Sequence, residues 1–278
     1  MDIKKLLKEA RQELRPVRPG HSIRLKKVDC DGSVDLGVEK EEADGILAEL
    51  QHKLDALQEL LYAEHKHKVL VVLQAMDTAG KDGVIRHVFK GVNPQGVRVV
   101  SFKAPTQAEL DHDYLWRIHS QVPAKGEIVI FNRSYYEDVL VTRVHGLIEK
   151  DVWTRRYGHI NAFEQMLSDE GVTILKFFLH ISPDEQKARL QARLKDPDKN
   201  WKFSGNDVKE RAFWFKYMEA YEDAINATST ECAPWHVIPA NKKWYRNLAV
   251  SLIMLNALNA LDMKYPKPGK LLKPAAII

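Results

Sequence analysis

Five short runs of uninterrupted apolar or β-branched residues stand out from a chain that is otherwise mixed in polarity: KVLVVLQA at 68–75, VRVVSF at 97–102, EIVIF at 127–131, VTILKFFL at 172–179 and HVIP at 236–239. Runs without polar alternation are the mark of strands buried on both faces, as in parallel sheets. Between and after them the apolar positions recur at three- and four-residue steps, which predicts helices over 81–90, 107–120, 134–145, 158–169, 183–195, 206–227 and 242–262. Strands alternating with helices predict a doubly wound three-layer α/β/α sandwich around a parallel sheet. Ahead of the first strand, Ile46, Leu47, Leu50, Leu54, Leu57, Leu60 and Leu61 share one face of a long helix from about 39 to 64, preceded by a short basic helix. The organisation expected is a helical extension over 1–67 followed by one α/β domain over 68–278.

Composition narrows the class. With 278 residues, 45% hydrophobic and 29% charged, the chain is that of an ordinary globular protein. Cys30 and Cys232 form no C-x-x-C pair, so no cysteine zinc site or disulfide scaffold is available, and a reducing, cytoplasmic setting is expected. No segment approaches the roughly 18 apolar residues of a membrane span. The net charge of +4 is too weak on average to announce a nucleic-acid binder. The average conceals segregation, because residues 1–27 carry +6, 187–211 carry +4 and 240–278 carry +6, leaving −12 for the rest. Were the basic ends to fold near residues 187–211, they would line a track for a polyanion.

The first strand runs into Met76-Asp77-Thr78-Ala79-Gly80-Lys81-Asp82-Gly83 and then a helix, the strand-loop-helix setting of a phosphate loop. The template G-x-x-x-x-G-K-[ST] is only partly met: Ala75 replaces its first glycine and Asp82 its hydroxyl residue. The physics survives. Backbone N–H groups of Thr78, Ala79, Gly80, Lys81, Asp82 and Gly83 at a helix N-terminus can cradle phosphate oxygens, with Gly80 and Gly83 supplying conformational freedom and Lys81 a point charge. With no hydroxyl ligand, a divalent metal falls to Asp77. The third strand ends in Asn132-Arg133-Ser134-Tyr135-Tyr136-Glu137-Asp138, and ligands in such sheets bind at the strands' carboxyl ends. Asn132 stands where an Asp would hold metal, which leaves Asp77 and Glu137 or Asp138 as negative groups, with Arg133 able to neutralise a transferring phosphoryl group. Ser134 and Glu137 also fit a capping box, which would explain Glu137 without any chemistry.

After the fourth strand, a helix opened by Ser182-Pro183-Asp184-Glu185 carries Arg189 and Arg193 on one face and leads to Lys199 and Lys202, so 187–211 reads as a lid over phosphates. The second strand delivers Lys103, Pro105 and Thr106, and then Arg117, as candidate nucleotide contacts, although Pro105 and Thr106 equally well begin a helix. The apolar tail LLKPAAII at 271–278 is a candidate subunit contact.

Four segments, MDTAGKDG at 76–83, GVNPQGVRVVSFKAPT at 91–106, GEIVIFNRSYYED at 126–138 and RLKDPDKNWKFS at 193–204, resemble the polyphosphate kinase family 2 enzymes in order and spacing. The resemblance implies a P-loop kinase fold that passes phosphoryl groups between inorganic polyphosphate and nucleotides with magnesium, or manganese in its place. It implies catalytic roles for Asp77 and Lys81, charge stabilisation by Arg133 and polyphosphate contacts from Arg193 and the lid lysines Lys199 and Lys202; Glu137 joins the catalytic set as a partner in orienting metal or acceptor, and Arg189, on the same helix face as Arg193, joins the candidate polyphosphate contacts. From their place at the strands' carboxyl ends, Lys103, Pro105, Thr106, Arg117, Asn132, Arg133, Tyr136 and Glu137 are the candidate nucleotide contacts. G-K-D-G together with F-N-R-S resembles the class acting on both nucleoside mono- and diphosphates, with ATP as product, guanine nucleotides as further candidate acceptors, and a homo-oligomer, a tetramer by preference. The competing expectations are an ATP-dependent nucleotide or small-molecule kinase on the same fold and a non-catalytic polyanion-binding module.

Overall fold

The computed structural model describes residues 2–32, 36–198, 200–202 and 205–267; Lys199, the side chain of Lys202 and the tail at 271–278 lie outside the described residues. Five parallel strands, β1 (Lys68–Ala75), β2 (Val97–Ser101), β3 (Ile128–Asn132), β4 (Val172–His180) and β5 (Trp235–Pro239), form one sheet in the order β2-β3-β1-β4-β5. β1 lies at its centre, with Val69 opposite both Ile128 and Thr173, and every β1 residue after Lys68 is buried.

Strand order decides the layers. From β1 the chain moves outward past β3 to β2 through α3 (Lys81–Val88), then reverses and advances to β3, β4 and β5. Right-handed crossovers place α3 on one face and the later connections on the other. With α3 pack α2 (Lys40–Glu64) and the closing α11 (Lys243–Ala260), against which α1 (Ile3–Glu13) also rests. The other face carries α6 (Glu137–Val144), α7 (Lys150–Asp169) and α10 (Trp214–Thr228). The expected three-layer sandwich is the observed one. Ile3, Leu6, Leu25, Leu50 and Leu54 of the extension belong to the same core as β1.

Several boundaries differ from expectation. The single helix predicted over 107–120 is two short turns, α4 (Gln107–Leu110) and α5 (Trp116–His119), because Asp113 draws the Leu115 and Trp116 N–H groups into a local turn. The helix predicted over 206–227 is divided at Phe213 into α9 (Gly205–Ala212) and α10. α7 begins at Lys150 rather than 158, its first two turns being too polar to show an apolar stripe. The lid region comprises α8 (Pro183–Lys195), a short 3₁₀ turn at Asn200–Lys202 and α9. Among the described residues no helix is long and apolar enough to cross a membrane.

Candidate active site

The loops after β1 and β3 turn toward opposite faces, so the crevice at their carboxyl ends is the topological switch point where ligands bind in such sheets. Gly80 caps α3 at φ 106°, a conformation that favours glycine, and a side chain there would collide with Arg246. Gly83 corrects the expectation of conformational freedom. It lies within α3, and its glycine identity is explained by the Arg246 guanidinium, whose Nη2 would stand 2.9 Å from a Cβ. Of the four described non-glycine residues in the left-handed region, two stand at this crevice, Thr78 in the loop at φ 65° and Arg133 just past β3 at φ 64°. Such strain gathers at functional sites.

Arg133 joins the two loops. Its Nη2 donates to Asp77 Oδ1 at 2.8 Å and its Nη1 lies 4.0 Å from Glu137 Oε2. Asn132 bridges as well, donating from Nδ2 to Asp82 Oδ1 at 2.9 Å. Lys81 donates to Ala75 O at 2.9 Å, and burial, with Arg133 nearby, pushes its pKa down against the pull of Asp77, Glu137 and Asp82. Burial pushes the Glu137 carboxyl up, with Arg133 and Lys81 opposing. The capping box proposed for Glu137 is absent. Ser134 Oγ accepts from Tyr136 N and from Gln74 Nε2, α6 has no side-chain cap, and the Glu137 carboxylate faces the site instead.

Asp77, Arg133 and Glu137 open onto a cavity of about 810 Å³ whose wall also includes Lys103, Pro105 and Arg117, whereas Lys81, Asp82 and Asn132 do not line it. Arg117 is fixed there by donating to Lys103 O at 2.9 Å. Thr106 does not line the cavity; its hydroxyl accepts from Glu109 N and its own N–H donates to Glu109 Oε2, a complete capping box for α4. Tyr136 is a plain correction. It is fully buried, and its hydroxyl bonds Glu164 and Thr228 beneath the sheet, out of reach of a nucleotide. Arg189 is likewise not a free phosphate ligand, since its guanidinium donates to Thr78 O, Ala79 O, Ala240 O, Asn241 O and Glu185 Oε1. Arg193 Nη1 lies 3.3 Å from Asp207 Oδ2, tying the lid's two helices together.

The cavity also holds residues that spacing did not single out. Tyr217 and Glu210 bring α10 and the lid to its wall, joined at 2.6 Å. Asp138, named only as an alternative to Glu137, lines it too, with a buried Oδ2 that has no hydrogen-bond partner and a pKa raised by burial to about 6. Arg246, in the middle of the apolar helix α11, donates to Ala79 O. A lone arginine just ahead of LAVSLIML was its only trace in the sequence.

Comparisons with known proteins agree with this geometry. The family model for polyphosphate kinase 2 matches residues 37–266. An AMP/ADP-polyphosphate phosphotransferase of Meiothermus ruber is 60% identical over 252 residues, 91% of this chain and 94% of that protein. An ADP-polyphosphate phosphotransferase of Rhodopseudomonas palustris is 47% identical over 82% of this chain and 83% of its own length. The crystal structure of polyphosphate kinase 2 from Arthrobacter aurescens TC1 superposes with a TM-score of 0.90 at 47% identity, covering 95% of this chain and 94% of that one.

Proposed function

The chain belongs to the polyphosphate kinase 2 family, and from that premise we propose that it transfers phosphoryl groups reversibly between inorganic polyphosphate and adenine nucleotides, AMP to ADP and ADP to ATP. The observation that carries the reading is the meeting of a phosphate loop with Asp77, Arg133 and Glu137 at the wall of one nucleotide-sized cavity. Backbone N–H groups at the start of α3 hold phosphate oxygens, and Lys81 and Arg133 offset the charge that develops as the phosphoryl group moves. Glu137, held by Arg133 and part-buried, orients the acceptor. Transfer is direct and in line, with positioning and charge neutralisation as the sources of rate.

A divalent cation suits the donor set. Asp77 presents a carboxylate between the loop and Arg133, and magnesium takes one or two carboxylates and completes its shell with phosphates and water. When bound, it would supply charge neutralisation on the phosphate oxygens.

The test supplies AMP or ADP with magnesium and polyphosphate and separates the nucleotides. The expected products are ADP and ATP, and Lys81→Ala is expected to lower turnover by about two orders of magnitude or more with the circular dichroism unchanged. No nucleotide product from polyphosphate, or turnover only with ATP as donor, would overturn the proposal in favour of an ATP-dependent kinase.

A further inference from the structure

Carboxylates in the wall of the acceptor cavity are mostly held by arginine. Asp77 and Glu137 face Arg133, Glu109 faces Arg117 and Asp138 faces Arg156, each at 4.0 Å or less. Glu210 is held differently: its side-chain partners among the described residues are the Tyr217 hydroxyl and the His145 ring. Tyr217 donates from its hydroxyl to Glu210 Oε2 at 2.6 Å, and His145 Nε2 lies 3.0 Å from the same oxygen. An ionised carboxylate only accepts, so Nε2 is the nitrogen that carries the proton.

The three side chains come from different elements. Glu210 belongs to the lid helix α9 and Tyr217 to α10, on either side of the break at Phe213, while His145 caps the C-terminus of α6, the helix that starts at Glu137. The His145 ring packs edge-on against Phe213, with centroids 5.0 Å apart. Glu210 and Tyr217 line the acceptor cavity; His145 does not, and lies instead in the wall of a separate hollow of about 540 Å³ with Arg143, Phe213 and Lys216. His145 therefore grips Glu210 from behind the wall.

Tyr217 stands near the phosphate end of the cavity. Burial raises its hydroxyl pKa, and Glu210, Glu137 and Asp77 push the same way, so it stays a donor. The acceptor brings phosphate into that end, and a carboxylate swinging free there would repel it. Two donors on one oxygen offset the charge of Glu210 and fix its direction, because hydrogen bonds to an ionised group are the strong kind.

Resting on the proposed function, we infer that His145 is a positioning residue for the nucleotide acceptor: together with Tyr217 it holds the Glu210 carboxylate against the cavity wall, so that its negative charge is kept from the acceptor's phosphates. The role is indirect, since His145 touches Glu210 and not the acceptor.

The experiment measures His145→Ala in two backgrounds, wild type and Glu210→Gln, with polyphosphate as donor and ADP as acceptor. In the wild-type background the KM for ADP is expected to rise about tenfold, the scale of one like-charge contact at a partly buried site, with kcat and the KM for polyphosphate unchanged and a rise that shrinks with added salt. In the Glu210→Gln background His145→Ala is expected to change none of these, because no charge is left to restrain. His145→Gln, which presents an N–H where Nε2 stands, is expected to keep the wild-type KM. Equal rises in both backgrounds, no rise in either, a lower kcat at unchanged KM, or a KM raised by Glu210→Gln alone would overturn the inference. Should His145→Ala not fold, Tyr217→Phe removes the other donor and is read in the same two backgrounds: a rise confined to the wild-type background supports the inference, and an equal rise or none overturns it. Should the protein turn over no polyphosphate at all, the functional reading fails separately, and the same cycle is read in the Kd for ADP.

Discussion

Arg189 has five N–H donors, and its three nitrogens already meet five oxygen acceptors, four of them backbone carbonyls in the phosphate loop and the turn after β5. By holding the Thr78 and Ala79 carbonyls behind the loop, it leaves the loop's N–H groups to face the phosphates, which makes it a positioning residue. Removing it misplaces the reacting groups, and a displacement of about 1 Å can cost 10²-fold in rate. Arg189→Gln is therefore expected to lower kcat about 100-fold with a small change in the KM for polyphosphate; steady-state kinetics showing KM raised and kcat preserved would instead mark it as a phosphate ligand. At this scale the sequence was legible for backbone-driven features and less so for side chains. Gly80 and Lys81 follow from the loop motif. Tyr136 could not be judged, because Tyr135 and Tyr136 both turn inward to Glu164 while the next residue, Glu137, turns to the cavity, and only the fold shows which of them faces it. Ser134 looked like a cap because nothing local revealed that Gln74, sixty residues away, bonds its hydroxyl.

Among the elements, β4 and α7 are tied by a buried ion pair that the turn after β3 joins. Lys176 Nζ lies 2.6 Å from Glu164 Oε2, both side chains are 0% exposed, and Tyr135 and Tyr136 donate to the other carboxylate oxygen at 2.7 and 2.8 Å. Burial pulls the Lys176 pKa down, and Glu164 holds it up. Breaking one side of such a pair strands a charge in the core, so Lys176→Met is expected to lose about 3–5 kcal/mol of stability in urea unfolding. The double variant Lys176→Met, Glu164→Leu is expected to regain much of that loss, and a single variant as stable as the wild type would contradict the account. The strands were legible because burial on both faces writes itself as a continuous apolar run. Helix limits were less so: the division at Phe213 and the polar start of α7 depend on packing between α6, α7 and α10, which a single segment does not carry.

Over the whole molecule, the weak net charge of +4 resolves into a geography. Lys242 and Lys243 from the basic C-terminal segment line a hollow between α2, α3 and α11, whereas Lys264 lies near Glu64 at the far end of α2. Residues 1–27 pack against α10, β5 and α11 instead of against the lid, as the bonds of Ile23 to Asn226 and Leu25 to Glu222 show. The expected track, in which both basic ends fold near the lid, is not formed: residues 1–27 do not lie there, and Lys242 and Lys243 lie instead with Lys40 and Lys90 in a hollow lined by no residue of 187–211. That gathering of lysines was invisible in the sequence because it is assembled from three distant segments. The central claim is that phosphoryl groups pass directly from polyphosphate to the nucleotide across the loop. It is tested most directly by incubating the protein with ³²P-labelled polyphosphate, magnesium and unlabelled AMP, and locating the label. The account predicts label in the β-phosphate of ADP and then in the β- and γ-phosphates of ATP, with none retained on the protein after denaturation. Label only in inorganic phosphate, or bound covalently to the chain, would contradict it.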